Sequence, residues 1–304
     1  MNPSLTILLP CHNEEVAVAG VVREYRACFP SADILVVDNA STDRTAELAR
    51  DAGAIVLSES RKGKAQAVLR AFAHIQTDLI LMADGDGSYP AESARLLVEK
   101  HDLSSDMTTG IRRPCQGRDV FRPLHQAGTE AFGWCAGVAF GFHSRDLFSG
   151  LRVFSRCFYK NAPILSRGFE LELELTVQAV DKGFRIQEIE IPFREREGGT
   201  PSKLHTVRDG LRILVNLVQL FRDYKPLAFF GAVSSLFFAC GILAGSPPVY
   251  GYWQTGLVAR FPLAILAAAL MNLSLFTLLT GFIAQSNLRH HREAFQVMLR
   301  NFPR

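Results

Sequence analysis

The chain of 304 residues is 48% hydrophobic and 21% charged, with a formal net charge of +3. That composition excludes a disordered or low-complexity chain, and the length fits one large domain or two units at about 100–200 residues each. The charge is unevenly placed: beyond Pro226, Arg260, Arg289, Arg292, Arg300 and Arg304 face one acid, Glu293, while the first 226 residues hold 28 basic and 29 acidic groups and leave no footprint for nucleic acid.

The opening MNPSLTILLP lacks the basic flank and cleavage site of a signal peptide. Residues 4–10 therefore read as a buried strand, and the N-terminal part is expected in the cytoplasm. EEVAVAGVVREYRACF (14–29) predicts a helix and ADILVVDNA (32–40) a second strand. STDRTAELARDAG follows as a helix with Ser41 as candidate cap, then AIVLSES, the helix KAQAVLRAFAHI and the strand DLILMADGD. This alternation predicts a mainly parallel sheet covered by helices, in which ligands bind beyond the carboxyl ends of the strands. Three strands end in polar clusters: Cys11-His12-Asn13-Glu14, Asp38-Asn39 and Asp84-Gly85-Asp86. That coincidence locates the site. Neither G-x-G-x-x-G nor G-x-x-x-x-G-K-[ST] occurs, which disfavours a dinucleotide or phosphate-loop fold.

Asp84 and Asp86, one residue apart between glycines, form a pair suited to a hard divalent cation that fills its shell with phosphate and water. Asp38 either accepts hydrogen bonds from a base or ribose or caps the following STDRT turn. GFELELEL (168–175) reads either as a half-buried strand or as a helix with Glu170 and Glu174 on one face. The six cysteines (Cys11, Cys28, Cys115, Cys135, Cys157, Cys240) have no C-x-x-C spacing and read as reduced thiols.

Residues 227–246 and 261–285 carry no charge, and about twenty helical residues at 1.5 Å each cover the roughly 30 Å hydrocarbon core of a bilayer. The Pro247-Pro248 turn and Tyr250, Tyr252 and Trp253 lie between them. Arg212, Arg222 and Lys225 precede the first span and Arg289, Arg292 and Arg300 follow the second, so both ends are expected inside and the connection outside. Residues 207–226 space Leu211, Leu214, Val218 and Phe221 as an amphipathic helix, either interfacial or packed on the preceding domain.

PCHNEE (10–15), VVDNASTD (36–43), RKGKAQAV (61–68) and DGDGSYP (84–90), in this order and spacing, resemble glycosyltransferase family 2. SGLRVFSR (149–156), SRGFELELEL (166–175) and TPSKLHTVRDG (200–210), followed by the hairpin, are similar to polyprenyl-phosphate glycosyltransferases related to dolichyl-phosphate mannose synthase. Cys11-His12 replaces a frequent Tyr before Asn, and Ser88 a frequent Gln after the D-x-D. The resemblance implies an α/β GT-A (Rossmann-like) catalytic domain over 1–206, an interfacial helix over 207–226, a transmembrane hairpin over 227–285 and a basic tail over 286–304. It implies a UDP- or GDP-hexose donor, a polyprenyl phosphate acceptor and an inner-membrane location, with self-association open.

Under the same resemblance, Pro10, His12 and Glu14 line a nucleobase pocket with Asp38, and Lys64 lies near the donor. Asp84 and Asp86, with Ser88, hold Mg²⁺ or Mn²⁺, and Asp86, Arg112, Arg122 and Lys203 serve catalysis. Arg122, Arg194, Arg196 and Lys203 cradle the acceptor phosphate, unless Arg194 and Arg196 simply pair with Glu195 and Glu197. Glu170 or Glu172 either orients the sugar or belongs to a solvated face. A phosphate monoester is largely a dianion at pH 7 and needs no general base, which implies a single, inverting displacement. The competing expectations are transfer to a glycan or lipid hydroxyl, and an inactive transport or scaffold component.

Overall fold

A computed structural model of the chain describes residues 3–114, 144–164, 171–194, 218–258 and 260–300, together with Gly137 and Val215. Two compact units emerge: Met1–Leu214 with Leu299–Arg304, and Val215–Met298.

The first unit is an α/β domain on a seven-stranded sheet: β1 (Leu5–Cys11), β2 (Asp33–Asp38), β3 (Ile55–Ser58), β4 (Leu79–Met82), β5 (Met107–Pro114), β6 (Arg152–Ser155) and β7 (Ile186–Phe193). Their order across the sheet is β3-β2-β1-β4-β6-β5-β7. Only β6 runs against the rest, antiparallel to both β4 and β5. Ile7, Leu8 and Leu9 on β1 and Ile80, Leu81 and Met82 on β4 are all fully buried. Both faces of these central strands are covered, which is why they read as unbroken apolar runs.

Helices α1 (Val18–Cys28), α2 (Thr45–Asp51), α3 (Lys64–His74) and α4 (Ala91–Glu99) link the parallel strands; α5 (Arg156–Asn161) and α6 (Leu171–Asp181) follow β6. The expected Ser41 cap is not made: α2 starts at Thr45 with Arg44 at its N-cap position and no side-chain cap, and Asp43 Oδ1, one residue earlier, accepts the Thr45 N–H at 3.0 Å. The Leu/Glu alternation of 168–175 resolves as helix over its described part. Because α6 is buried all round, including Glu172 and Glu174, the solvated-face alternative fails for these two acids.

β1 is flanked by β2 on one side and β4 on the other, both parallel to it. The chain winds outward through β2 and β3 and then returns to start β4 beside β1. A crevice opens at such a reversal beyond the strand ends. Pro10 stands opposite Val37 and Cys11 opposite Asp38, which brings two of the polar clusters together.

The second unit contains α7 (Pro226–Thr255) and α8 (Phe261–Arg300), each long and apolar enough to cross a bilayer. Ser234 and Ser274 exchange hydroxyl-to-carbonyl hydrogen bonds at 2.9 Å. Gly241 and Gly245 face Met271 and Ala267, so small residues let the two helices approach closely. The expected Pro247-Pro248 turn is absent: α7 continues to Thr255 and ends at Gly256, in the left-handed region at φ 72°. Pro247 cannot donate to the Leu243 carbonyl, and the Ser246 hydroxyl donates to it instead at 3.1 Å. Beyond residue 285, the expected basic tail continues as helix to Arg300.

Candidate active site

The ends of β1 and β2 are tied by Asn39. Its backbone N–H donates to the Cys11 carbonyl at 2.8 Å, and its side-chain amide donates to the Arg61 carbonyl at 2.7 Å. Its Oδ1 accepts the Gly63 N–H at 2.7 Å, which pins the loop leading into α3. Gly63 (φ 125°) occupies a conformation that only glycine adopts readily, and it delivers Lys64 as the first residue of α3. His12 donates its Nδ1–H to the Asn39 carbonyl at 2.8 Å, and Asp38 Oδ1 accepts the Ser41 N–H at 3.3 Å. Glu14 donates its backbone N–H to Thr45 Oγ1 at 2.8 Å.

Asp84 follows β4 beside the end of β1. A Cβ at Gly85 would collide with Cys11 Sγ, so only glycine permits this approach. Gly87 (φ 76°) then turns the chain, and the Ser88 N–H donates to Asp86 Oδ1 at 3.0 Å. Burial pushes the Cys11 thiol far up, and Glu14, Asp38, Asp84 and Asp86 all add to the shift. This thiol stays protonated, since burial and the negative charge of these acids both disfavour a thiolate.

Lys64 bridges two of the site's acids: its Nζ donates to Asp84 Oδ1 and, at 2.5 Å, to Glu172 Oε1 on α6. Burial works against its charge, but Asp84 and Glu172 outweigh it and hold the ammonium above an ordinary lysine. On the opposite side of Asp84 lies Gly150, where a Cβ would sit 2.5 Å from Oδ2. The Gly150 N–H donates to the Tyr89 hydroxyl at 2.7 Å, and burial pushes that phenol up to about 12.

Arg112 is gripped by Asp146 through Nε at 2.7 Å and Nη2 at 2.8 Å, with its guanidinium 5.5 Å from the Phe193 ring centroid. Arg194 holds the acidic loop from outside: Nε donates to the Gly87 carbonyl at 2.7 Å and Nη2 to Glu24 at 2.6 Å. Arg152 is fully buried and donates to the Ser149 and Leu147 carbonyls and to Thr176 Oγ1.

No cluster of three or more His, Cys, Asp or Glu suited to a metal occurs among the described residues. The donor set is the Asp84/Asp86 pair on a glycine-flanked turn. Such a pair fits a hard cation that takes one or two carboxylates and completes its shell from a substrate phosphate and water.

Residues 6–167 match the family described as Glycosyl transferase family 2. The chain belongs to that family. Among relatives of this family 2 glycosyltransferase, "Glycosyltransferase AglJ" of Haloferax volcanii is 31% identical over 291 residues, covering 95% of each chain. "Dolichyl-phosphate hexose transferase" of the same organism is 29% identical over 217 residues, covering 71% of this chain and 93% of the relative. Among solved structures, Mycobacterium tuberculosis glucosyl-3-phosphoglycerate synthase with Mn²⁺, UDP-glucose and phosphoglyceric acid has the same fold. It superposes with a TM-score of 0.59 at 20% identity, over 72% of this chain and 80% of that one.

In this glycosyltransferase Pro10, His12, Glu14 and Asp38 stand on adjoining strand ends, and Lys64, Asp84, Asp86 and Ser88 lie beside them. Arg194 meets Glu24 and the D-x-D backbone through its guanidinium, while Glu195 and Glu197, the other partners expected for it, lie outside the described residues. Arg122, Glu170, Arg196 and Lys203 lie outside the described residues, as do most of residues 207–217. Sequence reasoning missed Asn39 as the hub, Gly150 and Tyr89 behind Asp84, and Asp146 on Arg112. Gly150 lies in SGLRVFSR, and nothing in that segment signals that this glycine abuts the Asp84 carboxylate, which follows β4.

Proposed function

We propose that this family 2 glycosyltransferase is a membrane-anchored hexosyltransferase that transfers from a nucleotide-sugar to polyprenyl phosphate with inversion. The observation that carries the reading is the coupling, in one chain, of a D-x-D domain to two helices long and apolar enough to cross a bilayer. An enzyme held at the bilayer surface meets a lipid acceptor without losing it to water. The names of the Haloferax relatives support a hexose and a dolichyl phosphate.

Asp84 and Asp86 would hold Mg²⁺ or Mn²⁺, with Ser88 beside them; the same fold carries Mn²⁺ and UDP-glucose in the mycobacterial synthase. The cation supplies charge neutralisation at the leaving diphosphate. Pro10, His12, Glu14 and Asp38 receive the base and ribose of a UDP or GDP moiety. Arg112, fixed by Asp146, faces the sugar or acceptor phosphate. Arg122, Arg194, Arg196 and Lys203 are the acceptor-phosphate cradle. The acceptor oxygen attacks the anomeric carbon already ionised, so no side chain takes a proton. Positive-inside counting puts the catalytic domain and both ends of the hairpin in the cytoplasm, at the inner membrane of the cell.

The test is transfer of label from a panel of UDP- and GDP-sugars to polyprenyl phosphate by detergent-purified protein. Metal-dependent transfer from one donor, abolished by EDTA and by Asp86→Ala, is the expected result. Nucleotide binding without transfer to lipid phosphate redirects the assignment to a hydroxyl acceptor. Retention of the donor's anomeric configuration refutes the single displacement.

A further inference from the structure

The Lys64 ammonium stands between Asp84 and Glu172, carried by three separate elements: the start of α3, the end of β4 and the first turn of α6. Glu172 is 5% exposed, so its ion partner is supplied by the protein rather than by water. Arg152, the buried guanidinium whose charge also bears on Glu172, donates to two carbonyls and a hydroxyl. Asp84 differs: its side chain is 30% exposed, and it is the first acid of the D-x-D pair.

A lysine ammonium is a compact point charge on a flexible stem, with three donors that can be reassigned one at a time. An ammonium and a divalent cation on the same Asp84 carboxylate repel one another, so the two compete for it. Resting on the reading that Asp84 and Asp86 bind a divalent cation, we propose that Lys64 is the exchangeable counter-ion of Asp84. Glu172 is the positioning residue that retains Lys64 when the cation takes the carboxylate. Without metal, Lys64 offsets the repulsion among Asp84, Asp86 and Glu172. With metal, the ammonium gives up Asp84, keeps Glu172, and turns its remaining donors to the diphosphate arriving with the cation. Metal and nucleotide then bind with positive coupling, since each supplies what the other's arrival displaces.

Mn²⁺ binding to the detergent-purified full chain, followed by electron paramagnetic resonance without nucleotide, tests the exchange apart from turnover. Lys64→Met removes the competitor and tightens Mn²⁺ binding about tenfold, the scale of one charge pair at an effective dielectric of about 20 discounted for solvent exposure. Glu172→Gln leaves the ammonium with Asp84 alone and weakens Mn²⁺ binding several-fold. A purely structural role moves both variants the same way. Lys64→Met binding Mn²⁺ no more tightly than the wild type overturns the exchange, while wild-type binding lost in Asp86→Asn keeps the metal reading standing. No specific Mn²⁺ binding in any variant, with or without UDP or GDP, overturns both. Thermal melting monitors folding, and should Lys64→Met not fold, the Lys64→Met/Glu172→Gln pair, which removes both buried charges, is measured in the same way and must also bind more tightly.

Discussion

Gly150→Ala isolates the geometry of the acidic pair. The added Cβ would lie 2.5 Å from Asp84 Oδ2, 2.9 Å from Cγ and 3.0 Å from Oδ1. Carbon and its neighbours rest at about 3.5–4.0 Å, so the carboxylate must retreat by about 1 Å. Asp84 has a short side chain held on its other oxygen by Lys64, and the retreat breaks or drags that pair. The Gly150 backbone lies outside the left-handed region, so alanine adds no conformational strain of its own. Overpacking of this kind costs about 1–3 kcal/mol, which leaves the domain folded. A reacting constellation displaced by about 1 Å loses about a hundredfold in rate. The expected result is kcat/KM down by about two orders of magnitude in the labelled-transfer assay, with a modest fall in melting temperature. Gly110→Ala is the control, because its Cβ would press on Ile191 Cδ1 at 2.6 Å, away from the acids. It should destabilise comparably while the folded fraction keeps its activity. Wild-type kcat/KM in Gly150→Ala refutes the placement of Asp84 in the reaction.

Asp146→Ala leaves the Arg112 guanidinium half-paired in a largely buried position and should cost about 3 kcal/mol in chemical denaturation. His101 is buried, and burial lowers its pKa against the pull of Asp102 and Asp106. The unfolded chain therefore binds a proton that the folded chain refuses, so this histidine's contribution is present above about pH 6.5 and is lost as pH falls below it. The melting temperature should fall from pH 7.5 to pH 5 less steeply in His101→Asn than in the wild type. In the hairpin, a double-mutant cycle of Ser234→Ala and Ser274→Ala should give a coupling of about 0.6–1.7 kcal/mol by detergent unfolding.

The parallel half of the sheet is legible in the sequence because each of its strands is an apolar run that stops at a polar cluster. Asp38 and Asp84 stand out by that position alone. The β6 strand is not legible: its four residues include Arg152, and a fully buried arginine defies any reading by hydropathy. The α6 helix is ambiguous for a related reason. Glu172 is buried against a lysine 108 positions earlier, and no local pattern announces such a pair. Pro247-Pro248 misleads in the other direction. Two prolines predict a break, but a neighbouring serine hydroxyl takes up the Leu243 carbonyl and the helix persists.

The charge balance of the site bears on what must accompany the substrate. Lys64 is shared between Asp84 and Glu172, Arg112 is gripped by Asp146, and Arg194 by Glu24. Arg152 is enclosed by carbonyls and a hydroxyl. Each of these four cations is therefore committed to the protein, while Asp38, Asp84 and Asp86 crowd the strand ends. A donor diphosphate entering this field as an anion would meet carboxylates first. A donor entering with a divalent cation reverses the sign of that encounter at Asp84 and Asp86 and releases Lys64 toward the phosphates. If the cation serves the leaving diphosphate, as proposed, a phosphate acceptor gains nothing from that exchange. On the proposed reading its charge is met by the acceptor cradle, of which Arg194 is already engaged by Glu24. Neutralising the other three members, Arg122, Arg196 and Lys203, should therefore raise the KM for lipid phosphate while sparing nucleotide binding. Loss of nucleotide binding in those variants would instead assign them to the donor.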